Sequence, residues 1–273
     1  MVIDFHTHAF PDKIAQKTVD ILAQKSGAVS HTNGTVAGLL AKLEESHTVI
    51  GVALPVVTKP SQFDSINRFA AAINEQYTKQ NPSIISFGGI HPACEDLAGK
   101  MRFLKESGFL GIKIHPDYQD TFIDDAGYLE ILSLAKELDM IVVTHAGVDE
   151  GYPDQPVRCT PSRIRKVIET VRHDKFVLAH FGGNRFTEQV YEELAGLDVY
   201  FDTSFVLPNL GEANFKKILS KHGEDKILFA TDCPWRDIKD QIEIIRSYGL
   251  KKETEEKILY RNAAKLLGLQ ENI

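Results

Sequence analysis

Two histidines separated by one residue directly follow an apolar run near the start of the chain. The run reads VIDFHTH and carries the imidazoles of His6 and His8. Side chains at positions i and i+2 of a strand point to the same side, so both rings can reach one point. Imidazole nitrogens bind zinc at about 2.0–2.1 Å. The pair therefore indicates a divalent metal site at the end of the first strand.

Three more polar residues close later apolar runs. His145 ends IVVTH, His180 ends FVLAH, and Asp232 ends ILFATD. A polar group buried at such a position needs a hydrogen-bond or ligand partner. A hydrogen-bonded core position would explain any one of them alone. Together with His6 and His8, they indicate a shared centre.

Lys113 and His115 form a second pair with the same spacing, in GIKIHPDYQ. Both side chains can face the interior of a barrel, where we expect them to bind an anionic group of a substrate. A lysine paired with a carboxylate of the barrel is the alternative for Lys113.

Other polar residues are weaker candidates. The guanidinium group of arginine can form two parallel hydrogen bonds to a carboxylate. Three arginines are therefore candidates for binding a substrate carboxylate: Arg158, Arg163 and Arg185. Three residues that follow the seventh apolar run are expected to hydrogen-bond substrate or metal ligands: Asp202, Thr203 and Ser204.

Eight short apolar runs alternate with stretches of helical spacing. They lie at 2–5, 49–54, 84–88, 110–114, 141–144, 176–179, 199–202 and 227–230. Runs without polar alternation are typical of parallel strands that are buried on both faces. The pattern predicts an α/β fold, a single (β/α)8 TIM barrel, in which active-site residues gather at the carboxyl ends of the strands. A doubly wound sheet is less consistent, because no GxGxxG follows the first run.

Two long connections and the tail complete the pattern. Residues 9–47 are expected to hold helices around 12–25 and 35–46, and residues 147–162 form a loop rich in Gly, Pro and charge. Either connection could cover the barrel mouth and shape a pocket. Residues 254–267 read as a final amphipathic helix.

Composition restricts the class of protein. The chain has 273 residues, 43% of them hydrophobic, and a formal net charge of -7. We expect one domain over 1–273 and a cytoplasmic protein, because no targeting segment or membrane-spanning run is visible. The negative charge disfavours nucleic acid, which requires a cationic surface. The expected partner is a small-molecule substrate, without a membrane, and a homo-oligomer is compatible with the sequence.

The whole set of motifs resembles the amidohydrolase superfamily, and most closely the family of aminocarboxymuconate-semialdehyde decarboxylase. The similarity runs from DFHTH through THAG, AHFGG and ATDCPW to RNAAKLLGL. It implies that His6, His8 and His145 bind zinc, with Asp232 as a fourth ligand. It also implies that His180 is an acid or base near the metal.

This resemblance implies a metal-dependent hydrolase with about one zinc ion, or a similar divalent ion, per chain. Zinc lowers the pKa of a bound water to about 7, and Asp232 and His180 would be the catalytic residues for attack on a C–N or C–O bond. The substrate is expected to be small and carboxylated. Non-oxidative decarboxylation at the same metal site is the alternative.

Three further alternatives stay open. In binuclear amidohydrolases a carboxylated lysine bridges two metals, and Lys113 falls near that place. A TatD-like nuclease shares the His-X-His motif and the late aspartate, but it carries a glutamate where this chain has Lys113 and His115. A metal-binding barrel without catalysis is the third.

Overall fold

The computed structural model describes residues 1–269 and contains nine short strands. They are β1 (Ile3–Thr7), β2 (Ile50–Ala53), β3 (Ser83–Ser86), β4 (Gly88–Gly89), β5 (Gly111–Ile114), β6 (Ile141–Thr144), β7 (Phe176–Leu178), β8 (Tyr200–Asp202) and β9 (Ile227–Leu228). Only Phe87 separates β3 from β4. The nine strands therefore occupy the eight predicted positions.

Every pair of neighbouring strands is parallel. One sheet has the order β1-β2-β3 and the other has β4-β5-β6-β7-β8-β9. Strands that are adjacent in sequence are also adjacent in space, and helices lie between them, as in a (β/α)8 barrel. The predicted fold class is confirmed.

The seam between the last strand and the first is joined by backbone hydrogen bonds instead of a regular ladder. Amide nitrogens donate to carbonyl oxygens in three places: Phe5 to Phe229 at 2.9 Å, Asp232 to His6 at 2.7 Å, and His8 to Cys233 at 2.6 Å. These bonds bring the chain that follows β9 alongside β1. The His-X-His segment and Asp232 become neighbours for this reason.

Asp4 strengthens this seam with its buried carboxylate. Its Oδ1 accepts from the backbone nitrogen of Thr231 at 3.0 Å, and its Oδ2 accepts from the Thr231 hydroxyl at 2.5 Å. Oδ1 also accepts from the backbone nitrogen of His6 at 3.2 Å. One side chain thus links the two segments that carry the candidate metal ligands.

Eleven α-helical segments follow the strands in the described part of the chain. They are α1 (Ala15–Ser26), α2 (Val36–Glu45), α3 (Phe63–Tyr77), α4 (Leu97–Glu106), α5 (Ala126–Glu137), α6 (Pro161–Val171), α7 (Thr187–Gln189), α8 (Leu207–His222), α9 (Ile238–Ser247), α10 (Lys252–Glu256) and α11 (Asn262–Leu266). π-helical turns Val190–Leu194 and Lys257–Arg261 extend α7 and α10, and 3-10 turns cover Pro60–Gln62 and His180–Gly182.

The helix ends have local causes. The Thr35 hydroxyl accepts from Gly38 N and begins α2, while Gly27 takes φ 68° and ends α1. The Asp237 carboxylate begins α9 in the same way. The two helices predicted in the connection 9–47 are both present, and the predicted tail helix corresponds to α10 and α11 with the π turn between them.

The core consists of two groups of buried apolar side chains. One group joins strand residues such as Phe5 and Val143 to the carboxyl-terminal helix α11. The other fills the space between the strands and most of the remaining helices. Among residues 1–269, no helix has the length and hydropathy needed to cross a lipid bilayer.

Candidate metal centre and cavity

All seven site residues predicted from the sequence line one cavity of about 580 Å³. They are His6, His8, Lys113, His115, His145, His180 and Asp232. Both long connections contribute to the wall, residues 9–47 through Phe10, Ile14 and Leu22, and residues 147–162 through Val148 and Tyr152. The carboxyl ends of the strands therefore converge on a single site.

Three of the four predicted metal ligands lie together. The ligand atoms of His6, His8 and Asp232 all fall within 4.8 Å of one another. Asp232 Oδ1 is 2.9 Å from His8 Nε2 and 3.3 Å from His6 Nε2. We call these three residues the cation cluster.

In His6 and His8, the hydrogen bond made by Nδ1 determines whether Nε2 of the same ring can bind a cation. His6 Nδ1 lies 2.9 Å from Asp202 Oδ2, and His8 Nδ1 lies 2.9 Å from the carbonyl oxygen of Leu54. These oxygens accept, so each Nδ1 carries the proton and each Nε2 offers a lone pair. Burial lowers the pKa of His6 well below its usual value, which keeps that ring neutral.

Two lone pairs and a carboxylate oxygen therefore face one another at close range. Such an arrangement is repulsive unless a cation or a proton lies between them. Neutral imidazoles and a carboxylate are also the donors that zinc and similar divalent ions use. The cation cluster thus fits a divalent metal.

Lys113 extends into the same site from the end of β5. Its side chain is 1% exposed, and its Nζ lies 3.2 Å from His6 Nε2. Burial lowers the pKa of Lys113 to about 8, so the ammonium form still predominates at neutral pH. Without a metal this ammonium donates to the His6 Nε2 lone pair, and metal binding at that atom would require Lys113 Nζ to turn to another acceptor.

The structure does not bring His145 into the cation cluster. His145 Nδ1 lies 3.0 Å from His180 Nε2, and its Nε2 faces Asp117 Oδ2 at 3.8 Å. His145 Nε2 and Asp117 Oδ2 are both buried without a hydrogen-bond partner among the described residues. His180 Nδ1 in turn lies 3.1 Å from the carbonyl oxygen of Ser204. The metal-binding role of His145 and the acid–base role of His180 stay predictions.

His115 and His145 form a second group with Asp149, whose ligand atoms also lie within 4.8 Å of one another. The bonds of His115 do not suit a cation, however. Its Nδ1 accepts from Tyr118 N at 3.3 Å, so its Nε2 carries the proton and donates to Asp149 Oδ2 at 3.2 Å. His115 and Asp149 therefore satisfy each other's polar groups without a cation. The substrate-binding role of His115 stays a prediction, as does that of Lys113.

The remaining wall of the cavity is mainly apolar and aromatic. It includes Leu54, Val56, Ile66, Phe69, Tyr118, Phe205 and Trp235. None of the three candidate arginines lines it. Arg158 pairs with Asp120 and Arg163 with Asp124, outside the lining, while Arg185 pairs with Glu150, which itself lines the cavity. Within the described chain, Lys113 and the more exposed Lys25 are the lysines in its lining.

Sequence reasoning gave Asp202 and Ser204 only a general hydrogen-bonding role, and it gave Asp149 and Tyr118 none. Asp202 ends the apolar run of β8, so the argument that selected Asp232 applied to it equally. Asp149 and Tyr118 lie in loops, where no periodic pattern singles out a residue.

A parallel α/β barrel with a cation cluster at the carboxyl ends of its strands defines a class of metal-dependent barrel enzymes. A family model described as amidohydrolase matches residues 3–269. The chain belongs to this amidohydrolase family, and it is an enzyme of the amidohydrolase superfamily, in which a divalent metal is expected. No curated protein matches the sequence.

Solved structures share the fold at low sequence identity. A 5-carboxyvanillate decarboxylase from Novosphingobium aromaticivorans, complexed with manganese and 4-hydroxy-3-methoxy-5-nitrobenzoic acid, is 15% identical with a TM-score of 0.74, covering 98% of this chain and 96% of its own. A 2,6-dihydroxybenzoate decarboxylase from Rhizobium is 15% identical with a TM-score of 0.69, covering 98% of each chain. An uncharacterized TIM-barrel protein from Bordetella bronchiseptica is 16% identical with a TM-score of 0.74, covering 98% of each chain.

Proposed function

We propose that this enzyme is a divalent-metal-dependent decarboxylase that releases CO2 from a small aromatic carboxylic acid without oxidation. The observation that carries the proposal is the buried ammonium of Lys113, 3.2 Å from His6 Nε2, in a cavity with aromatic walls. That arrangement suits a substrate whose aromatic ring packs against the cavity walls and whose carboxylate is directed at the cation cluster. The two decarboxylases of similar fold, whose names specify hydroxylated benzoates, support this choice over hydrolysis.

His6, His8 and Asp232 would hold the metal, and His145 remains the proposed fourth ligand. When bound, the ion supplies positive charge that attracts the substrate carboxylate and stabilises negative charge developing beside it. The donor set of two imidazoles and a carboxylate suits zinc, as the sequence predicted, and also manganese, which one of the similar structures contains. We propose one such ion per chain.

The chain's own groups then account for the loss of CO2. Lys113 Nζ attracts the carboxylate, and apolar side chains such as Phe205 and Trp235 exclude the water that would solvate it. Removing that water disfavours the carboxylate relative to neutral CO2. The bond between the ring carbon and the carboxyl carbon breaks, and the electron pair stays on the ring carbon. His180, whose Nδ1 proton is held by the Ser204 carbonyl oxygen, would have to be in its imidazolium form to deliver from Nε2 the proton that replaces CO2, and it would then regain a proton from solvent.

Product analysis tests this proposal. The metal-loaded enzyme is incubated in D2O with a panel of hydroxybenzoates labelled with 13C in the carboxyl group. We expect 13CO2 and a single deuterium on the ring carbon that carried the carboxyl group. Metal-stripped enzyme serves as the control and should release no label until the metal is restored.

Hydrolysis of a C–N or C–O bond is the second candidate, and the position of Asp232 favours it. Its carboxylate lies 2.9 Å from His8 Nε2 at the cation cluster, where it could accept a proton from an attacking water. The same assay separates the two functions if amides and lactones join the panel. Ammonia or a new carboxylate, without labelled CO2, would establish a hydrolase and exclude decarboxylation.

Lys113→Met tests the proposed carboxylate site. Methionine retains the apolar stem but removes the charge, so we expect KM for a carboxylate substrate to rise about ten- to a hundredfold, the cost of one charged hydrogen bond. Metal content should stay near one ion per chain. Lys25→Met, in the same cavity wall but more exposed, is the matched control and should leave KM within about threefold.

Two results would contradict this role of Lys113. An unchanged KM in Lys113→Met would show that the ammonium does not contact the substrate. A fall from two metal ions to one would instead indicate that the wild-type lysine is carboxylated and bridges two metals.

A further inference from the structure

We propose that Asp202 is a positioning residue that fixes the proton position on His6 and the orientation of His180 at the same time. The inference rests on the metal site of the proposed function but not on its substrate. Asp202 ends β8 and is fully buried. Each of its two carboxylate oxygens serves a different histidine.

The first oxygen determines which nitrogen of His6 faces the metal site. Asp202 Oδ2 lies 2.9 Å from His6 Nδ1. A carboxylate only accepts, so it holds the proton on Nδ1 and leaves the lone pair on Nε2, toward Asp232. Carboxylate partners of this kind fix the tautomer and ring orientation of metal-binding histidines and raise their basicity.

The second oxygen organises the segment that carries His180. Asp202 Oδ1 accepts from His180 N at 3.0 Å, from Ser204 N at 3.0 Å and from the Ser204 hydroxyl at 2.5 Å. The Ser204 oxygens lie 3.0 and 3.1 Å from His180 Nδ1. Backbone and ring of His180 are therefore both held through Asp202, directly or by way of Ser204.

This support matters because the backbone of His180 is strained. His180 has φ 57° and Phe181 has φ 55°, in the left-handed region that is unfavourable for most non-glycine residues. The bond from His180 N to Asp202 helps to keep the turn in this conformation. This turn allows the His180 ring to line the cavity just after β7 ends at Leu178.

Oδ1 of Asp202 accepts three hydrogen bonds, whereas Oδ2 contacts only His6 Nδ1. This difference predicts how the side-chain amide of an asparagine at position 202 would be oriented. In Asp202→Asn, three donors compete for the one remaining oxygen on the Ser204 side, so the NH2 group turns toward His6. That NH2 group is a donor, and it would drive the His6 proton from Nδ1 to Nε2. The lone pair that faces the cation cluster would be lost while the shape of the side chain is preserved.

Metal binding to the metal-free protein tests this inference without any substrate. We expect Asp202→Asn to raise the Kd for Zn²⁺ and Mn²⁺ about 10–100-fold, measured by competition with a chelator. Ser204→Ala retains the bond from Asp202 to His6, so its Kd should stay within about threefold. Asp198→Asn, an exposed aspartate near the start of the same strand, is the isosteric control and should bind as the wild type does.

Ring-nitrogen NMR of protein labelled with 15N-histidine gives a second readout. With the His6 signals assigned from a His6→Gln variant, the metal-free wild type should show the Nδ1–H tautomer, and Asp202→Asn should show Nε2–H. A wild-type His6 in the Nε2–H form would overturn the proposal even if the variant failed to fold. An Asp202→Asn protein with wild-type Kd would overturn it equally.

Failure of the proposed function is distinguishable from failure of this inference. If no aromatic acid is decarboxylated but the Asp202→Asn shift in Kd and tautomer appears, Asp202 keeps its role and only the assigned reaction is wrong.

Discussion

Asp232→Asn is expected to remove the bound metal and to lower kcat/KM by about 10²–10⁴-fold, the several kcal/mol that a catalytic ion contributes. Asparagine retains the shape of the side chain but offers the cation cluster no negative charge. It also tolerates the backbone, because position 232 has φ 69° and asparagine adopts this region readily. Metal content by mass spectrometry and the rate of substrate consumption, measured on the same sample, check the prediction.

The exposed Asp198→Asn is again the matched control, and it should retain both metal and activity. A folded Asp232→Asn protein that keeps one ion per chain would show that the metal lies elsewhere, for example in the group of His115, His145 and Asp149. Full activity without metal would remove the basis of the proposed function.

His180→Asn is expected to separate metal binding from catalysis. Loss of the group that transfers the proton lowers kcat about 10²–10⁴-fold, while His6, His8 and Asp232 remain in place and metal content stays near one ion per chain. Asparagine is suitable because His180 has φ 57°. The measurements are kcat under substrate saturation and metal content of the purified variant.

His47→Asn provides a control with the same chemistry and the same backbone. His47 is an exposed histidine with φ 54°, outside the cavity lining, so its replacement should alter neither quantity. Loss of metal from His180→Asn would show that His180 is a ligand, and the roles of His180 and His145 would have to be exchanged.

The barrel and the location of the site were predictable because both depend on simple patterns. Apolar runs without alternation identify strands buried on both faces, and their carboxyl ends meet at one face whatever the loops do. His6, His8 and Asp232 could therefore be assigned to one place although they lie at opposite ends of the chain. The break at Phe87 between β3 and β4 could not be predicted, since it depends on backbone pairing and not on residue type.

The hydrogen bonds within the site could not be predicted from the sequence, for a different reason. Whether His145 turns toward the cation cluster or toward His180 depends on side-chain rotation, and so does the contact between Lys113 and His6. Asp149 reaches His115 from a loop without periodicity. Such contacts depend on distances of a few tenths of an ångström, which residue types and spacing do not encode.

His8 and Asp232 meet across the seam although 224 positions separate them in the chain. A ribosome adds about 5–20 residues per second, so the aspartate is made roughly 11 to 45 seconds after the histidine. The nascent polypeptide therefore cannot assemble the cation cluster before Asp232 has been synthesised. Metal binding by all three residues of the cation cluster has to wait for Asp232, so its extent should reflect the supply of the ion available to a nearly complete barrel.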